Sequence, residues 1–327
     1  MISVKPNPAG KGGERDTPPG QGGGSAFVLA HLSDPHLSSL TGVRLASLLN
    51  KRLLGYLSWY RKRRHIHCPQ ILDALLRDLA ETAPDHVAVT GDLTHLGLPE
   101  EFRQAALWLR QLGPPERVTV VPGNHDAYVA AHWQETFSEW APYLQGDDGS
   151  LADVYPSLRV RGPAALIGLS SARPSAPFLA VGSLGREQLE RFEKVLEQTG
   201  RRGLLRIVLL HHPPVPGSIA WRKRLDDAHF FAEILARQGA ELILHGHAHV
   251  SMALELVAGR RNIPVLGVPS ASNSSSDPLR AARYHLCRFE RRADGWLLLL
   301  TAHVYSSDGK RFVIAQEKEL LLPDPKR

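Results

Sequence analysis

The sequence predicts an α/β fold, and three observations predict it. Short apolar runs recur, and each breaks into a loop carrying Asp, Asn or His. Segments with apolar residues at helical spacing lie between those runs. After residue 249 the texture changes to strand-like runs with no helices between them. Strands alternating with helices argue for a parallel sheet flanked by helices. The last stretch argues for antiparallel strands, expected in a second sheet.

The elements follow in order. Residues 1–25 hold seven Gly and four Pro and no apolar stretch, so a flexible tail is expected rather than a secretory signal. Residues 26–32 read as a buried strand ending in Ser33-Asp34-Pro35-His36. The pattern returns at 86–90 before Gly91-Asp92 and at 118–121 before Pro122-Gly123-Asn124-His125-Asp126. It returns again at 206–210 before His211-His212 and at 241–244 before His245-Gly246-His247-Ala248-His249. Helical spacing covers 70–81, 99–111 and 185–198, and Asp226 or Asp227 is placed to cap a helix running to 237. Residues 265–268, 284–290 and 296–305 read as strands, with Asp294-Gly295 as the turn between the last two. One domain is expected over 26–322, carrying an insert at about 40–67.

Composition narrows the class. The 327 residues are 43% hydrophobic and 22% charged, which excludes collagen-like, low-complexity and wholly disordered chains. No apolar run approaches the ~18–20 residues that cross a bilayer. Cys68 and Cys287 are the only cysteines, too few for a disulfide framework. A reducing, cytoplasmic location is therefore expected. The net charge of +6 favours an anionic partner.

The strand ends collect Asp34, His36, Asp92, Asn124, His211, His247 and His249. Carboxylate oxygen and imidazole nitrogen without thiolate form a ligand set for Mn, Fe or Zn. There are enough ligands for two metals if one carboxylate bridges. Taken singly, each motif also reads as an ordinary turn or a buried His pair. Five such turns, each ending a strand with ligand-type residues, are not explained by packing.

Asp34-x-His36, Gly91-Asp92, Gly123-Asn-His-Asp126, His211 and Gly246-His-x-His249 resemble the five-motif signature of calcineurin-like metallophosphoesterases. The resemblance spans about 26–305. It implies a four-layer α/β/β/α sandwich of two mixed sheets. It also implies two divalent ions, Mn or Fe ahead of Zn, and hydrolysis of phosphomonoesters, phosphodiesters or pyrophosphates, with a metal-bound hydroxide acting here on a phosphodiester or phosphomonoester. One ion would be held by Asp34, His36, Asp92 and His249, the other by Asp92, Asn124, His211 and His247. His212 is the alternative to His211. His125 would serve the leaving oxygen, with Asp126 orienting it. His95, where much of the family has Asp or Asn, is a candidate substrate contact. Pro122 stands where Ser/Thr protein phosphatases carry Arg, and the wording is nearer the bacterial phosphodiesterase branch.

Residues 35–72 contain no Asp or Glu but carry Arg44, Lys51, Arg52, Arg61, Lys62, Arg63 and Arg64. Leu45, Leu48, Leu49, Leu53, Tyr56, Leu57 and Tyr60 fall near helical spacing, with Ser47, Lys51, Ser58 and Lys62 opposite. An amphipathic basic helix at the mouth of the site is expected. It is either a cap with a solvated basic face or a surface for anionic lipid headgroups at the inner membrane face or a phosphate-rich substrate. Nucleic acid is not the expected partner. Two alternative functions follow: a membrane-surface pyrophosphatase on a nucleotide- or lipid-linked substrate, and an inert binding protein on the same fold.

Overall fold

The computed structural model describes residues 26–324 apart from 38, 41, 42, 44, 49 and 150–153. The expected tail at 1–25, and Arg44 and Leu49 of the insert, lie outside the described residues. The chain opens with β1 (Phe27–Leu32), α1 (Arg52–Arg61), α2 (Pro69–Thr82), β2 (His86–Val89), α3 (Pro99–Leu112), β3 (Val118–Val120) and α4 (Ala141–Leu144). It continues through β4 (Ser157–Arg161), β5 (Ala164–Gly168), α5 (Arg186–Arg201), β6 (Leu205–Leu209), α6 (Ala228–Gln238) and β7 (Leu242–His245). It ends with β8 (Met252–Ala258), β9 (Arg261–Gly267), β10 (Arg283–Arg292), β11 (Gly295–Ser306) and β12 (Arg311–Pro323).

These strands form two six-stranded mixed sheets, ordered β12-β11-β10-β1-β2-β3 and β4-β5-β6-β7-β9-β8. The parallel strands are almost entirely buried and mostly apolar because both of their faces are covered. Phe27, Leu29 and Phe289 of the first sheet pack on Leu166, Ile207 and Leu244 of the second. On the outer face of the first sheet, Ile71, Leu75 and Leu79 of α2 and Phe102 and Leu109 of α3 cover Leu32, Val89 and Val120. On the second, Phe192 and Leu196 of α5 and Phe231 and Leu235 of α6 cover Ile167, Val208 and Ile243. The four layers are helix, sheet, sheet, helix.

Three expectations need correction. The late strands do not all build the second sheet: β10 pairs antiparallel with β1, so β10–β12 widen the first sheet, and only β8 and β9 complete the second. The hairpin β4–β5 and the strands β8 and β12 had no clear periodic signal. Asp227 sits at the start of α6, yet its carboxylate accepts the backbone N–H of Leu184 and Gly185 and the Ser183 hydroxyl, so it serves the entry to α5 instead.

The insert is shorter and turned relative to its predicted face. It consists of a 3-10 turn at Leu45–Leu48, α1, and a second 3-10 turn at Arg63–His65. Its buried residues are Leu48, Gly55 and Trp59, and Leu48 and Trp59 pack with Leu40, Leu96 and Leu98. Leu53, Leu57 and Tyr60, expected on the apolar face, are 47%, 40% and 50% exposed, and Leu54 beside them is 42% exposed. Apolar residues occur almost all round α1, so periodicity could not choose the face. The choice falls to Gly55, where a side chain would run into Leu96 and Tyr128.

The basic residues divide as well. Lys51, expected on the solvated side, donates to the Ser175 carbonyl (2.9 Å) and hydroxyl (3.0 Å). Arg52 donates to the Leu96 carbonyl at 3.0 Å and to that of Gly97. Arg63 turns inward to His125. Arg61, Lys62 and Arg64 remain exposed. No helix among the described residues is long and apolar enough to cross a membrane.

Candidate metal centre

The loops after β1, β2 and β3 in one sheet meet the loops after β6 and β7 in the other. That meeting assembles two groups: Asp34, His36, Asp92 and His249, and Asp92, His211 and His247. Ligand-type atoms within each group lie within 4.8 Å of one another, and Asp92 belongs to both. The Asn124 amide oxygen joins the second group, 3.2 Å from His211 Nε2.

Local backbone strain accompanies the assembly. Asp34, His36, Asp92, His247 and His249 all have φ between 44° and 66°. They are five of the eight non-glycine residues with positive φ among the described residues, which concentrates the strain at one place. Each costs roughly 1–2 kcal/mol in this region. Five together are comparable with the lower end of a domain's net stability, about 5 kcal/mol. Hydrogen bonds across the loops must therefore hold them. Asp34 N–H donates to the Gly91 carbonyl (2.9 Å), His36 N–H to the Asp92 carbonyl (3.1 Å), and His247 N–H to Asp34 Oδ2 (3.0 Å). Gly123 and Gly246 are required by proximity: a Cβ at Gly123 would strike Asp92, and one at Gly246 would strike Ser33 and Asp34.

The ring nitrogens are aimed by backbone carbonyls. Nδ1–H of His36 donates to Thr94 (2.9 Å), that of His211 to Thr90 (2.6 Å) and that of His125 to His95 (2.6 Å). In each neutral ring this leaves Nε2 unprotonated and facing the cluster, as a metal ligand requires. His211 Nε2 lies 3.3 Å from Asp92 Oδ2, and His249 Nε2 lies 3.1 Å from Asp34 Oδ1. The alternative His212 is engaged elsewhere: its Nδ1 meets the Ser171 hydroxyl at 2.7 Å and its Nε2 the Ala180 carbonyl at 3.2 Å. The structure thus separates the two histidines that the sequence left as alternatives.

Asp126 does not orient the His125 ring. Its carboxylate accepts the backbone N–H of Asp92 (2.9 Å), Thr94 (2.9 Å) and Gly123 (2.9 Å), tying the Gly91-Asp92 loop to the Gly123 loop. The His95 carbonyl and the stacked Tyr128 ring, 5.5 Å away, hold His125 instead. The His95 ring is buried and stacks on His36 at 4.9 Å.

Electrostatics follow from burial beside carboxylates. Burial alone would raise the Asp34 carboxyl, but the His249 ring beside it holds it well below the usual range. Burial would lower His211, yet Asp92 and Asp34 outweigh it and raise the ring to about 9. Burial and the neighbouring His67 and His95 push His36 far down, and burial and Arg63 do the same to His125. His247 Nε2 is buried without a hydrogen-bond partner, and the buried Asp34 Oδ1 has only the His249 ring beside it, at 3.1 Å. Such atoms ask for a cation. Oxygen and imidazole donors around them fit a divalent ion of the Mn, Fe or Zn kind.

Three residues at the site had no distinguishing sequence signal. Arg63 places a guanidinium nitrogen 3.0 Å from His125 Nε2. His67 packs 4.4 Å from His36 and meets the Ser272 hydroxyl at 2.8 Å. Lys223, on the loop after β6, lies within electrostatic reach of Asp34 and Asp92. Arg63 was hidden in a basic run, and the other two stand outside any motif.

Comparison with known proteins gives the chain its family. The family model for calcineurin-like phosphoesterases matches residues 27–251. A probable cyclic nucleotide phosphodiesterase of a Synechococcus strain is 27% identical over 208 residues, 63% of this chain and 72% of that protein. A cAMP/cGMP dual specificity phosphodiesterase of Mycobacterium tuberculosis is 27% identical over 264 residues, 78% of this chain and 70% of that protein. In fold, the chain is similar to a dimetal phosphatase from Danio rerio, with TM-score 0.60 and 12% identity over 90% of this chain and 99% of that one. The matched span holds every strand-end loop of the centre, and the chain belongs to the calcineurin-like phosphoesterase family, as a hydrolase acting on ester bonds.

Proposed function

We propose that this chain hydrolyses a phosphodiester at a dinuclear metal centre. One ion would be held by Asp34, His36, Asp92 and His249, the other by Asp92, Asn124, His211 and His247. The observation that carries the reading is the sharing of Asp92 by two compact groups of oxygen and nitrogen donors. Mn or Fe suits the set first, and Zn is also compatible. The names of the phosphodiesterase relatives favour a diester over a monoester.

When bound, the ions supply an activated water and neutralise phosphoryl charge. The chain's own residues do the rest. Asp92 makes one rigid unit of both sub-sites. His36 and His211, each with its Nδ1–H spent on a carbonyl, present Nε2 in a fixed direction. His125, fixed through Nδ1, would take up a proton on the unprotonated Nε2 and hand it to the leaving oxygen. The substrate would meet His95 and His67 on the insert side of the cluster.

The test is hydrolysis of bis-p-nitrophenyl phosphate beside p-nitrophenyl phosphate, with and without Mn²⁺. Metal-dependent turnover with the diester preferred is expected. Absence of turnover from protein carrying two metal equivalents would overturn the diesterase reading.

A second reading concerns where the substrate is met. The outward ridge of Leu53, Leu54, Leu57 and Tyr60, flanked by Arg61, Lys62 and Arg64, suits an anionic bilayer surface: apolar side chains enter the interface and cations meet headgroups. Lys51, Arg52 and Arg63 are committed to the protein interior and take no part.

A further inference from the structure

The loops after β5 and β6 carry apolar side chains that the metal centre does not use. Phe178, after β5, is 82% exposed, more than any other large apolar side chain among the described residues. It holds the third position of a tight turn, Ala176-Pro177-Phe178-Leu179, closed by the Leu179 N–H on the Ala176 carbonyl at 3.1 Å. Its φ is 66°, which suits glycine and strains a bulky residue. The fold thus keeps a phenyl ring in water on a strained backbone, with little packing in return. Trp221, after β6, is 65% exposed. Two backbone hydrogen bonds hold these loops side by side: Ala180 N–H to the Arg222 carbonyl (2.9 Å) and Gly182 N–H to the Arg224 carbonyl (3.0 Å). Both aromatic residues stand just upstream of the first bond.

The paired loops form a wall of the metal centre. The Ala180 carbonyl meets His212 Nε2 at 3.2 Å, and the His212 ring lies 4.4 Å from that of His247. At the other end Lys51 ties Ser175 to the insert and stands 4.5 Å over the Tyr128 ring, which stacks on His125. Loops of the second sheet and the insert of the first therefore meet beside one cluster of ligand-type residues. Their charge agrees. Residues 169–185 and 210–225 contain no Asp or Glu but carry Arg173, Arg222, Lys223 and Arg224, just as 35–72 is basic without acids. Asp226, the first acid beyond them, is shared by Arg173 and Arg224.

We infer that Phe178 and Trp221 form a second membrane contact, so that an anionic bilayer closes over the mouth of the metal centre. The inference rests on the lipid reading of the insert and extends it to the other sheet. The insert ridge alone would let the protein lie on its side. Contacts from both sheets fix the orientation, because the ligand-bearing loops lie between them. Aromatic rings take the headgroup level, and the cations beside them meet lipid phosphates. A bilayer asks for no complementary shape, which suits protruding loop tips. Insertion takes the Phe178 ring out of water, a gain that offsets the strained turn only where lipid is present.

The experiment uses the full chain loaded with Mn²⁺ and vesicles of phosphatidylglycerol or phosphatidylcholine. Wild type is compared with Phe178→Gly, Trp221→Ser, their double variant, and the Leu53→Ser, Leu54→Ser, Leu57→Ser variant of the ridge. Flotation measures binding, thermal melts check folding, and bis-p-nitrophenyl phosphate turnover is followed with and without vesicles. Binding to phosphatidylglycerol should weaken about threefold or more in each single variant and about tenfold or more in the double one. Phe178→Gly should melt no lower than wild type, since glycine relieves the turn. Without vesicles, Phe178→Gly and Trp221→Ser should turn the diester over at the wild-type rate. Phosphatidylglycerol vesicles should slow wild type about threefold or more by covering the mouth, and should spare the double variant. Loss of binding confined to the ridge variant would overturn the second contact while the insert reading stands. Vesicles that bind wild type without slowing it would overturn the orientation. Equal binding to phosphatidylcholine would overturn the anionic bilayer as partner. A dimer in sedimentation that the double variant abolishes, with no lipid binding, would overturn the inference in favour of a second copy of this chain. No turnover by metal-loaded wild type would bring down the phosphoesterase reading, with flotation still deciding the contact.

Discussion

Asp126 and Asp92 are joined through the backbone: the Asp92 N–H donates to Asp126 Oδ2 at 2.9 Å, and the same oxygen takes the Gly123 N–H at 2.9 Å. One carboxylate thus sets the distance between the loop that carries the shared ligand and the loop that carries Asn124 and His125. Burial and the Asp92 charge raise this carboxyl to about 7. Asp126→Ala should therefore lower metal content as well as rate, because it frees three buried N–H groups. His125→Ala should keep its metal and lose rate by on the order of 10²- to 10⁴-fold, the range for a proton-transfer group. Metal analysis beside kcat separates the two; metal-free His125→Ala protein would refute the assigned role.

Asp92 stands in both donor groups. Asp92→Ala should bind fewer than one metal equivalent, whereas His249→Ala should leave the His211–His247 side loaded. Elemental analysis of the purified variants decides this, and full occupancy in Asp92→Ala would show that the carboxylate does not bridge.

His211 and His212 should behave differently although they are adjacent. His211→Ala should empty one sub-site. His212→Ala should keep both metals but cost about 1–3 kcal/mol of stability, since the Ser171 hydroxyl loses a buried partner. Urea titration with metal analysis tests the pair, and metal loss confined to His212→Ala would invert the assignment.

Buried imidazoles away from the centre set an acid limit. Burial lowers His86 and His285 to about 3 each. Both stay neutral in the folded chain, while the unfolded chain protonates them near pH 6.5. The unfolded state then binds more protons, so stability falls as pH drops from about 6.5 toward 3. Each group contributes a slope approaching ~1.4 kcal/mol per pH unit. Urea midpoints between pH 7 and 4.5 should show this fall, and replacing His285 with Gln should flatten it.

The outward ridge of the insert predicts a lipid preference. Flotation with vesicles of phosphatidylglycerol at low salt should recover the protein, and phosphatidylcholine vesicles should not. A Leu53→Ser, Leu54→Ser, Leu57→Ser triple variant should lose recovery without losing bis-p-nitrophenyl phosphate turnover. No recovery with phosphatidylglycerol vesicles at low salt would exclude the bilayer as partner, and recovery indifferent to the triple substitution would exclude the ridge as the contact.

The sequence by itself determined the α/β class and the set of strand ends bearing Asp34, His36, Asp92, Asn124, His211, His247 and His249. Both signals are local: an apolar run is read from consecutive residues, and ligand-type residues are read from the loop that follows. What is not local had to wait for the tertiary structure. The attachment of β10 to β1 depends on pairing across more than 250 residues. The face of α1 depends on Gly55 meeting Leu96 and Tyr128, because apolar side chains nearly encircle that helix. The inward turn of Arg63 depends on the His125 ring, which no pattern in a run of basic residues can announce. The division of labour between His211 and His212 depends on Thr90 and Ser171, brought from other strands. Covalent neighbours determined which side chains reach the edge of the sheets, and packing between distant segments decided where each of them points.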